Sequence, residues 1–370
     1  MTCRRNQFVF ASSLKVSAVV LALACATQAM AAENGLQRYS PGVGGSDMTT
    51  PLVPGWYVQM PMVAYHANKL KGGDGNAATS ATPAPEKTIP GLGTIPAQPN
   101  LRSEIGIKAD TYALLPRVTY LDNHQILGAN VGFTVMLPLV KRKALFTASP
   151  IFAGSTVPSI AQPGYTSSIN AQVAGQNGSE MGIGDIEVSP VLHWEIGDHQ
   201  AVTFAPTIVL PTGDYKATQR VNPGYGNFVT FRPSVQYAFI GDGWDIGGRG
   251  VLSFNTRNKD TGYYSGNMFN LDWQLMKFVS DDVRVGLQGY FVRQLSKDTQ
   301  DLTGFSPAQV SALGKEIING NKASVNAAGP AIGWLKNGGE MLLEGKFLKE
   351  FDARNRTEGQ AFWLTVSKPL

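Results

Sequence analysis

The stretch Phe269-Asn270-Leu271-Asp272-Trp273-Gln274-Leu275 alternates apolar and polar side chains without a break. A period of two is typical of a β-strand, because successive side chains of a strand point to opposite faces. The same alternation recurs over 283–294 and 340–351. The pattern therefore predicts an all-β fold, built from strands that each have one apolar face and one polar face.

Segments with this alternation recur along most of the chain. Each reaches the ~9–11 residues that a tilted strand needs to cross a bilayer. Apolar parity switches near Leu115-Pro116, which predicts a β-bulge there. One short helix is predicted inside a connection, over Pro307 to Asn319. The twelve segments span 55–67, 101–121, 126–140, 182–195, 200–212, 225–239, 244–256, 264–278, 283–294, 322–334, 340–351 and 359–370.

The connections between these segments differ in length. Those after even-numbered segments are short, at Asp122-Asn123-His124, Gly197-Asp198, Gly241-Asp242-Gly243, Ser280-Asp281-Asp282 and Asn337-Gly338-Gly339. Those after odd-numbered segments are longer, near 68–100, 141–181, 213–224 and 295–321, with modest ones at 257–263 and 352–358. We therefore expect an antiparallel transmembrane β-barrel of about 12 strands, with short periplasmic turns and long extracellular loops. A soluble β-sandwich would not separate loop lengths so systematically.

The first 32 residues have the layout of a secretory signal peptide. Arg4, Arg5 and Lys15 precede an apolar run over 16–26, and Ala29-Met30-Ala31 has the small-x-small pattern of a cleavage site. We expect cleavage near Ala31 or Ala32. The chain then divides into a signal peptide (1–32), an N-terminal periplasmic segment or plug (33–54) and the transmembrane β-barrel (55–370).

Loss of the signal peptide changes the cysteine content and the charge. Cys3 and Cys25 both lie within it, so the mature chain is expected to have no disulfide, thiol nucleophile or thiolate metal site. The 31 basic residues fall to 28, against 27 acidic ones. This balance argues against a nucleic-acid partner. Neither a metal site nor a cofactor is expected.

Charged side chains keep to the polar parity of their strands. In a membrane barrel this parity lines the lumen, whereas in a soluble barrel it faces water. Both signs occur, so many of these charges are expected to pair across strands. The residues predicted to line the pore or contact a substrate from the strands are Asp185, Glu187, His193, Arg232, Asp245, Arg249, Asp272, Arg284, Glu344 and Lys346.

His193 is the one candidate for proton chemistry in the sequence. Outer-membrane lipid hydrolases use a Ser/His pair on the lipid-facing wall near the outer rim. His193 instead precedes the short Gly197-Asp198 turn, and no serine motif lies beside it. A hydrogen-bonded luminal histidine is therefore the favoured interpretation, and no enzymatic activity is predicted.

Residues 33–54 are expected to enter or cap the lumen from the periplasmic side. Six Gly or Pro residues precede Pro54, which disfavours a regular helix or strand, yet the segment has more apolar side chains than a free linker exposes. Arg38 is expected to pair with a luminal carboxylate such as Asp185 or Glu187, and Tyr39 to stack on an aromatic solute. A disordered periplasmic tether is the alternative.

Several short sequence motifs, in this order along the chain, resemble those of a known family. They are Glu33-Asn34-Gly35, Arg38-Tyr39-Ser40-Pro41-Gly42, Pro54-Gly55-Trp56-Tyr57, Gly182-Ile183-Gly184-Asp185-Ile186 with Pro190, Leu210-Pro211-Thr212-Gly213-Asp214-Tyr215, Asn255-Thr256 with Ser265-Gly266 and Asp272, and Trp363-Leu364 with Lys368-Pro369. The set resembles the family named for the meta-pathway of phenol degradation, outer-membrane barrels of Gram-negative bacteria. The final residue, Leu370, departs from the aromatic residue that ends many such barrels.

The resemblance implies an outer-membrane channel for passive uptake of small hydrophobic or aromatic compounds. Its partners are then outer-membrane lipid and such a solute, whereas the oligomeric state is left open. The alternative is a structural or adhesive barrel whose loops at 141–181 and 295–321 bind partners. Leakage of small solutes through the purified protein distinguishes the two, because a filled structural barrel does not leak.

Overall fold

The computed structural model describes residues 33–50, 52–89, 91, 93–305 and 320–370. The predicted signal peptide and the helix predicted over Pro307 to Asn319 lie outside these residues. Among the described residues, no helix has both the length and the hydropathy to span a bilayer.

Twelve antiparallel strands form the wall, and three of them are interrupted near the middle. The last strand pairs with the first, with Trp363 opposite Val63, so the sheet closes into a barrel. The expected number of strands is thus confirmed. The strands are β1 (Gly55–Lys71), β2a (Arg102–Leu114), β2b (Arg117–Ile126), β3a (Ala129–Met136), β3b (Leu139–Ile151), β4a (Gly178–Ile183), β4b (Glu187–Ile196), β5 (Gln200–Val209), β6 (Thr230–Gly241), β7 (Trp244–Asn255), β8 (Met268–Phe278), β9 (Val283–Gln294), β10 (Ser324–Lys336), β11 (Met341–Arg354) and β12 (Arg356–Pro369).

The three interruptions lie in neighbouring strands. The predicted bulge at Leu115-Pro116 is a break between β2a and β2b, and both halves pair with β1. Similar breaks at Leu137-Pro138 and over 184–186 were not predicted. Proline has no N–H to give to a neighbouring strand, so it weakens pairing where it falls inside a sheet. Residual bonds still cross the breaks, since Leu115 N donates to Pro61 O at 2.9 Å.

Short turns lie at one end of the barrel and most long loops at the other. The turns cover 127–128, 197–199, 242–243, 279–282 and 337–340. The described residues of the longer connections lie within 72–101, 152–177, 210–229, 256–267 and 295–323. The prediction of a turn at Asp122-Asn123-His124 is wrong, because the strand has a bulge there and continues to Ile126. The modest connection expected at 352–358 is also wrong, since Asn355 alone joins β11 to β12.

One α-helix, α1 (Gln162–Ala174), lies in the stretch that was expected to be the loop 141–181. That loop is shorter than predicted, because β3b runs to Ile151 and β4a begins at Gly178. The apolar stripe of α1 is narrow: only Tyr165, Ile169 and Val173 are buried, and they pack on inward-facing residues of β2a and β3b. A stripe of one residue per turn among Ser, Gln and Asn is a weak sequence signal.

Short elements complete the described chain. Five short strands lie in the described parts of the connections. Thr79–Ala81 pairs with β2a, Lys87–Ile89 pairs with Gly93–Ile95, and Tyr263–Tyr264 pairs with Thr299–Gln300. The 3-10 turns are Glu33–Gly35, Ser46–Met48 and Ser159–Ala161.

The wall has the inside-out polarity of a membrane barrel. In β8, Asn270, Asp272 and Gln274 are buried, whereas Leu275 on the opposite parity is exposed. The outer surface is apolar along many strands, as in Val235, Leu287, Ile332, Phe347 and Phe362, each between 39% and 55% exposed. Near the short turns, Trp56, Tyr120 and Phe133 form an aromatic group in which Trp56 and Phe133 are exposed and Tyr120 is half-buried. This arrangement places lipid outside and polar groups inside.

Replacing Leu287 by Arg is expected to destabilise the folded barrel by ~2–4 kcal/mol, because Leu287 is 52% exposed on the outer wall near the middle of β9. Ile126→Arg is the matched control: Ile126 is 50% exposed but lies at the end of β2b, where the expected loss is only ~0–1 kcal/mol. Urea titration of both variants in lipid vesicles measures the difference. Equal losses of stability in the two variants would contradict the assignment of Leu287 to the lipid-facing middle of the wall.

Candidate functional site

Residues 33–50 thread through the lumen instead of capping its periplasmic end. The segment joins β1 at the turn end, and Glu33 lies among the loops at the opposite end. There the Glu33 carboxylate accepts hydrogen bonds from Asn258 Nδ2 and Thr261 Oγ1, both at 2.8 Å. Burial raises the pKa of Glu33 above its ordinary value. We call residues 33–54 the inserted segment.

Arg38 is the first strong contact of the inserted segment with the wall. Its guanidinium lies 3.0 Å from the Asp185 carboxylate, and both side chains are almost fully buried. It also donates to Gly226 O at 2.7 Å and stacks 3.8 Å from the centre of the Phe228 ring. Of the two carboxylates expected for Arg38, Asp185 is the partner, whereas Glu187 pairs with Arg232. Asp185 lies in the break between β4a and β4b, so this break supplies the carboxylate.

The Asp272 carboxylate of β8 holds the next turn of the inserted segment. Tyr39 donates its hydroxyl to Oδ2 at 2.7 Å, while the backbone N–H groups of Gly42 and Gly44 donate at 2.9 and 2.8 Å. Three donors on one carboxylate fix the backbone of the inserted segment around it. The Tyr39 hydroxyl is thus already bonded to the wall.

Glu344 and Lys346 of β11 hold the residues that follow. Ser46 N donates to Glu344 Oε2 and Lys346 Nζ donates to Gly44 O, each at 2.7 Å. The two side chains also pair with each other at 3.4 Å. Gly45 passes so close that a Cβ there would lie 2.3 Å from Glu344 Oε1, which explains the absence of a side chain at this position.

Asp47 pairs the inserted segment with basic side chains of the wall. Its Oδ2 lies 3.1 Å from Arg249 of β7 and 3.8 Å from Arg117 of β2b. Gln236 Nε2 donates to Met48 O at 2.7 Å, and Gln274 Nε2 donates to Thr49 Oγ1 at 2.9 Å. The inserted segment therefore contacts strands on several sides of the lumen.

The remaining predicted site residues lie within the wall. Arg232 forms a two-bond pair with Glu187 and sits 5.4 Å from the centre of the Tyr39 ring. Arg284 pairs with Asp245 at 2.6 Å, with both side chains fully buried.

His193 points into the lumen, apart from this group. Its Nδ1 lies 2.8 Å from Thr203 Oγ1, and it is 4% exposed. This is the hydrogen-bonded luminal histidine that was favoured over a lipid-facing catalytic one. Within the described residues, no group of three His, Cys, Asp or Glu side chains could hold a metal ion.

Sequence reasoning missed several polar groups of this site. Arg117 was not selected because it directly follows the break at Pro116, where the strand parity is reset. Asp47 was not selected because the inserted segment has no parity to read. Glu350 of β11 also lies on the inner parity, where it accepts hydrogen bonds from Tyr65 and Tyr290, both at 2.8 Å. Continuing the Glu344–Lys346 parity to residue 350 would have found it.

Cavities lie on both sides of the inserted segment. The turn-side cavity, about 120 Å³, has many polar residues in its lining, including Thr119, Thr134 and Thr203. The loop-side cavity, about 140 Å³, lies beside β1, β11 and β12, and a third of about 80 Å³ lies next to it under the loops. Tyr39 lines both the turn-side and the loop-side cavity. The two halves of the lumen therefore meet at this side chain.

The family comparison matches nearly the whole barrel. The family described as the MetA-pathway of phenol degradation matches residues 73–366. The chain belongs to this family. A comparison with curated proteins found no match. The resemblance seen in the sequence is therefore confirmed for this member of the phenol-degradation family.

Among solved structures, an outer-membrane channel of Pseudomonas putida F1 is similar to this family member. The TM-score is 0.58 and the identity 10%, covering 88% of this chain and 99% of the channel. The β-domain of the Bordetella autotransporter BrkA has a TM-score of 0.43 at 5% identity, covering 85% and 99%. The monoaromatic hydrocarbon channel CymD has a TM-score of 0.39 at 7% identity, covering 92% and 98%. The first likeness shows that the fold is that of an outer-membrane barrel.

Proposed function

We propose that the protein is an outer-membrane channel through which small hydrophobic or aromatic compounds pass without an energy source. In this proposal residues 1–32 are the signal peptide that directs export, residues 33–54 regulate the lumen, and residues 55–370 form the barrel in contact with outer-membrane lipid. The barrel carries no catalytic step.

The observation that carries this proposal is the meeting of the two cavities at Tyr39. A barrel of about twelve strands is wider than its own side chains can fill, so its lumen either conducts or is occupied. Here the inserted segment occupies the centre and leaves space on both its loop side and its turn side. A small displacement of Tyr39 joins these spaces into one path along the barrel.

The chemistry of the loop-side cavity favours aromatic or apolar solutes. Leu36, Pro41, Tyr65, Tyr290 and Trp363 contribute to its lining. Flat rings pack well against such side chains in edge-to-face or offset contacts. The turn-side cavity has more hydroxyl and charged groups than the loop-side cavity, so its lining is better hydrated. A solute that leaves through it passes from an apolar lining to a polar one. The similar Pseudomonas structure is itself described as a channel.

The structural or adhesive barrel is the second candidate. The loops over 72–101 and 152–177, together with α1, enclose an apolar cluster that includes Ile105, Phe146 and Tyr165. These loops are packed on each other and on the barrel mouth, which suits a binding surface as well as a channel entrance. The two functions differ in whether solutes cross the barrel.

Flux through vesicles that contain the purified full chain tests the proposal. The vesicles need an outer leaflet of lipopolysaccharide, because apolar rings cross phospholipid alone. We expect uptake of a monoaromatic solute above that of empty vesicles, and a several-fold increase for Tyr39→Ala, which removes the ring between the cavities. Tyr39→Phe is the matched control: it keeps the ring and loses only the bond to Asp272.

An adhesive barrel gives a different result in the same assay. Uptake by the wild type and by Tyr39→Ala would then both equal that of empty vesicles. That outcome would contradict the channel proposal.

A further inference from the structure

The loop-side cavity contains polar groups that the protein itself does not satisfy. Trp363 of β12 is 2% exposed, and its indole Nε1 has no hydrogen-bond partner. Both amide atoms of the Gln37 side chain are buried and likewise have no partner. Trp363 and Gln37 line the same cavity, from the wall and from the inserted segment respectively. Buried polar groups are nearly always paired, so such a pair of exceptions needs an explanation.

Several other polar groups around the cavity are already engaged. Glu350 accepts the hydroxyls of Tyr65 and Tyr290, each at 2.8 Å, and lies 3.1 Å from the guanidinium of Arg356. Arg142 donates to the carbonyls of the 210–229 loop and stacks 4.5 Å from the centre of the Tyr225 ring. Tyr65 and Tyr290 are thus held in place by hydrogen bonds to the wall, whereas the Trp363 indole N–H and the Gln37 amide are left for a guest.

The size of the cavity suits a guest of one ring. Its volume of about 140 Å³ is close to the roughly 150 Å³ of an engineered apolar cavity that binds benzene. A plain hydrocarbon of this size would fill the space but leave the Trp363 N–H and the Gln37 amide unpaired. A hydroxyl group on the ring removes this penalty, because its oxygen accepts from Trp363 Nε1 and its O–H donates to Gln37 Oε1.

We propose that the loop-side cavity is a binding site for a monocyclic aromatic compound that carries a hydroxyl group, with Trp363 and Gln37 as its hydrogen-bonding residues. The site adds a ligand class to the proposed function. It rests on that function, because the ligand reaches the cavity through the proposed channel. Discrimination between a hydroxylated and a plain ring follows from these two residues, because a site built to hydrogen-bond a hydroxyl disfavours the analogue that lacks it.

Equilibrium binding to the full chain in lipid nanodiscs tests this site without any transport. The probes are phenol and toluene, which have nearly the same shape, and empty nanodiscs give the background. We expect tighter binding of phenol. Trp363→Phe, which keeps an aromatic ring but removes the N–H, should weaken phenol binding roughly five- to tenfold and leave toluene binding unchanged. Gln37→Leu should act in the same direction without altering the barrel wall.

Trp273→Phe is the matched control. The indole Nε1 of Trp273 also has no partner, but Trp273 lies on the outer parity of β8, away from the cavity. Phenol binding should be unchanged by this substitution. Equal affinities for phenol and toluene, or phenol binding insensitive to both Trp363→Phe and Gln37→Leu, would overturn the site, since water then satisfies the two groups. Such a result would leave the vesicle flux, and thus the channel itself, unaffected.

Discussion

A chain that lacks residues 33–54 and begins its barrel at Gly55 is expected to conduct several-fold more than a chain that begins at Glu33, as single-channel recordings can measure. The reason is the occupancy of the lumen: Arg38, Tyr39, Ser46 and Asp47 each bond to the inner wall. Removing them leaves a water-filled passage lined by polar side chains. Uptake of aromatic solutes should rise with it.

A graded version of this experiment keeps the chain length. Gly45→Ala forces a methyl group to within 2.3 Å of Glu344 Oε1, so it should displace the inserted segment and raise conductance partway. Gly345→Ala is the control, because a Cβ at that position meets open space. Unchanged conductance and solute flux after deletion would mean that the segment does not control the lumen and acts only as a tether.

The second large effect is expected at the ion pair between Arg284 of β9 and Asp245 of β7. The two groups are 2.6 Å apart and fully buried. Arg284→Ala leaves the Asp245 carboxylate buried without its counter-charge, which should lower the free energy of unfolding by about 3–5 kcal/mol. The temperature at which the folded, heat-modifiable species disappears on gels measures the loss.

Two further variants show whether the loss comes from the unpaired charge. Replacing both partners, as in Arg284→Met with Asp245→Leu, should restore much of the stability, because neither charge is then stranded. Lys336→Ala breaks the exposed pair with Glu340 and should change stability by less than about 1 kcal/mol. Similar losses for Arg284→Ala and Lys336→Ala would contradict the assigned role of burial.

The barrel was predictable because its strands obey a strict two-residue period. Along β8, the charge at Asp272 and the amide at Gln274 fall on one parity, and a barrel in lipid must turn that parity inward. The strand breaks at Leu137-Pro138 and over 184–186 were less predictable, since neither carries a switch of parity as clear as that at Leu115-Pro116. Helix α1 was missed because its buried stripe is one residue wide.

The partners inside the lumen were harder to predict than the lumen-facing residues. Parity identifies Asp272, Glu344 and Lys346 as inward, but it gives no information about a segment that has no secondary structure of its own. Charge alone predicted that Arg38 pairs with a luminal carboxylate, but it left Asp185 and Glu187 as alternatives. The hydrogen bond from Tyr39 to Asp272, by contrast, depends on how deeply the inserted segment lies in the lumen. No local sequence pattern indicates that depth.

The path of the inserted segment also constrains how the molecule is made. Ser46 bonds to Glu344, 298 positions later in the chain, and Arg38 bonds to Phe228, 190 positions later. Contacts between such distant positions form late and slow the folding of a chain. The segment precedes β1, and β12 seals the ring by pairing with β1. We therefore expect the inserted segment to reach its final contacts only when the last strand closes the sheet, so that the barrel is assembled around this segment.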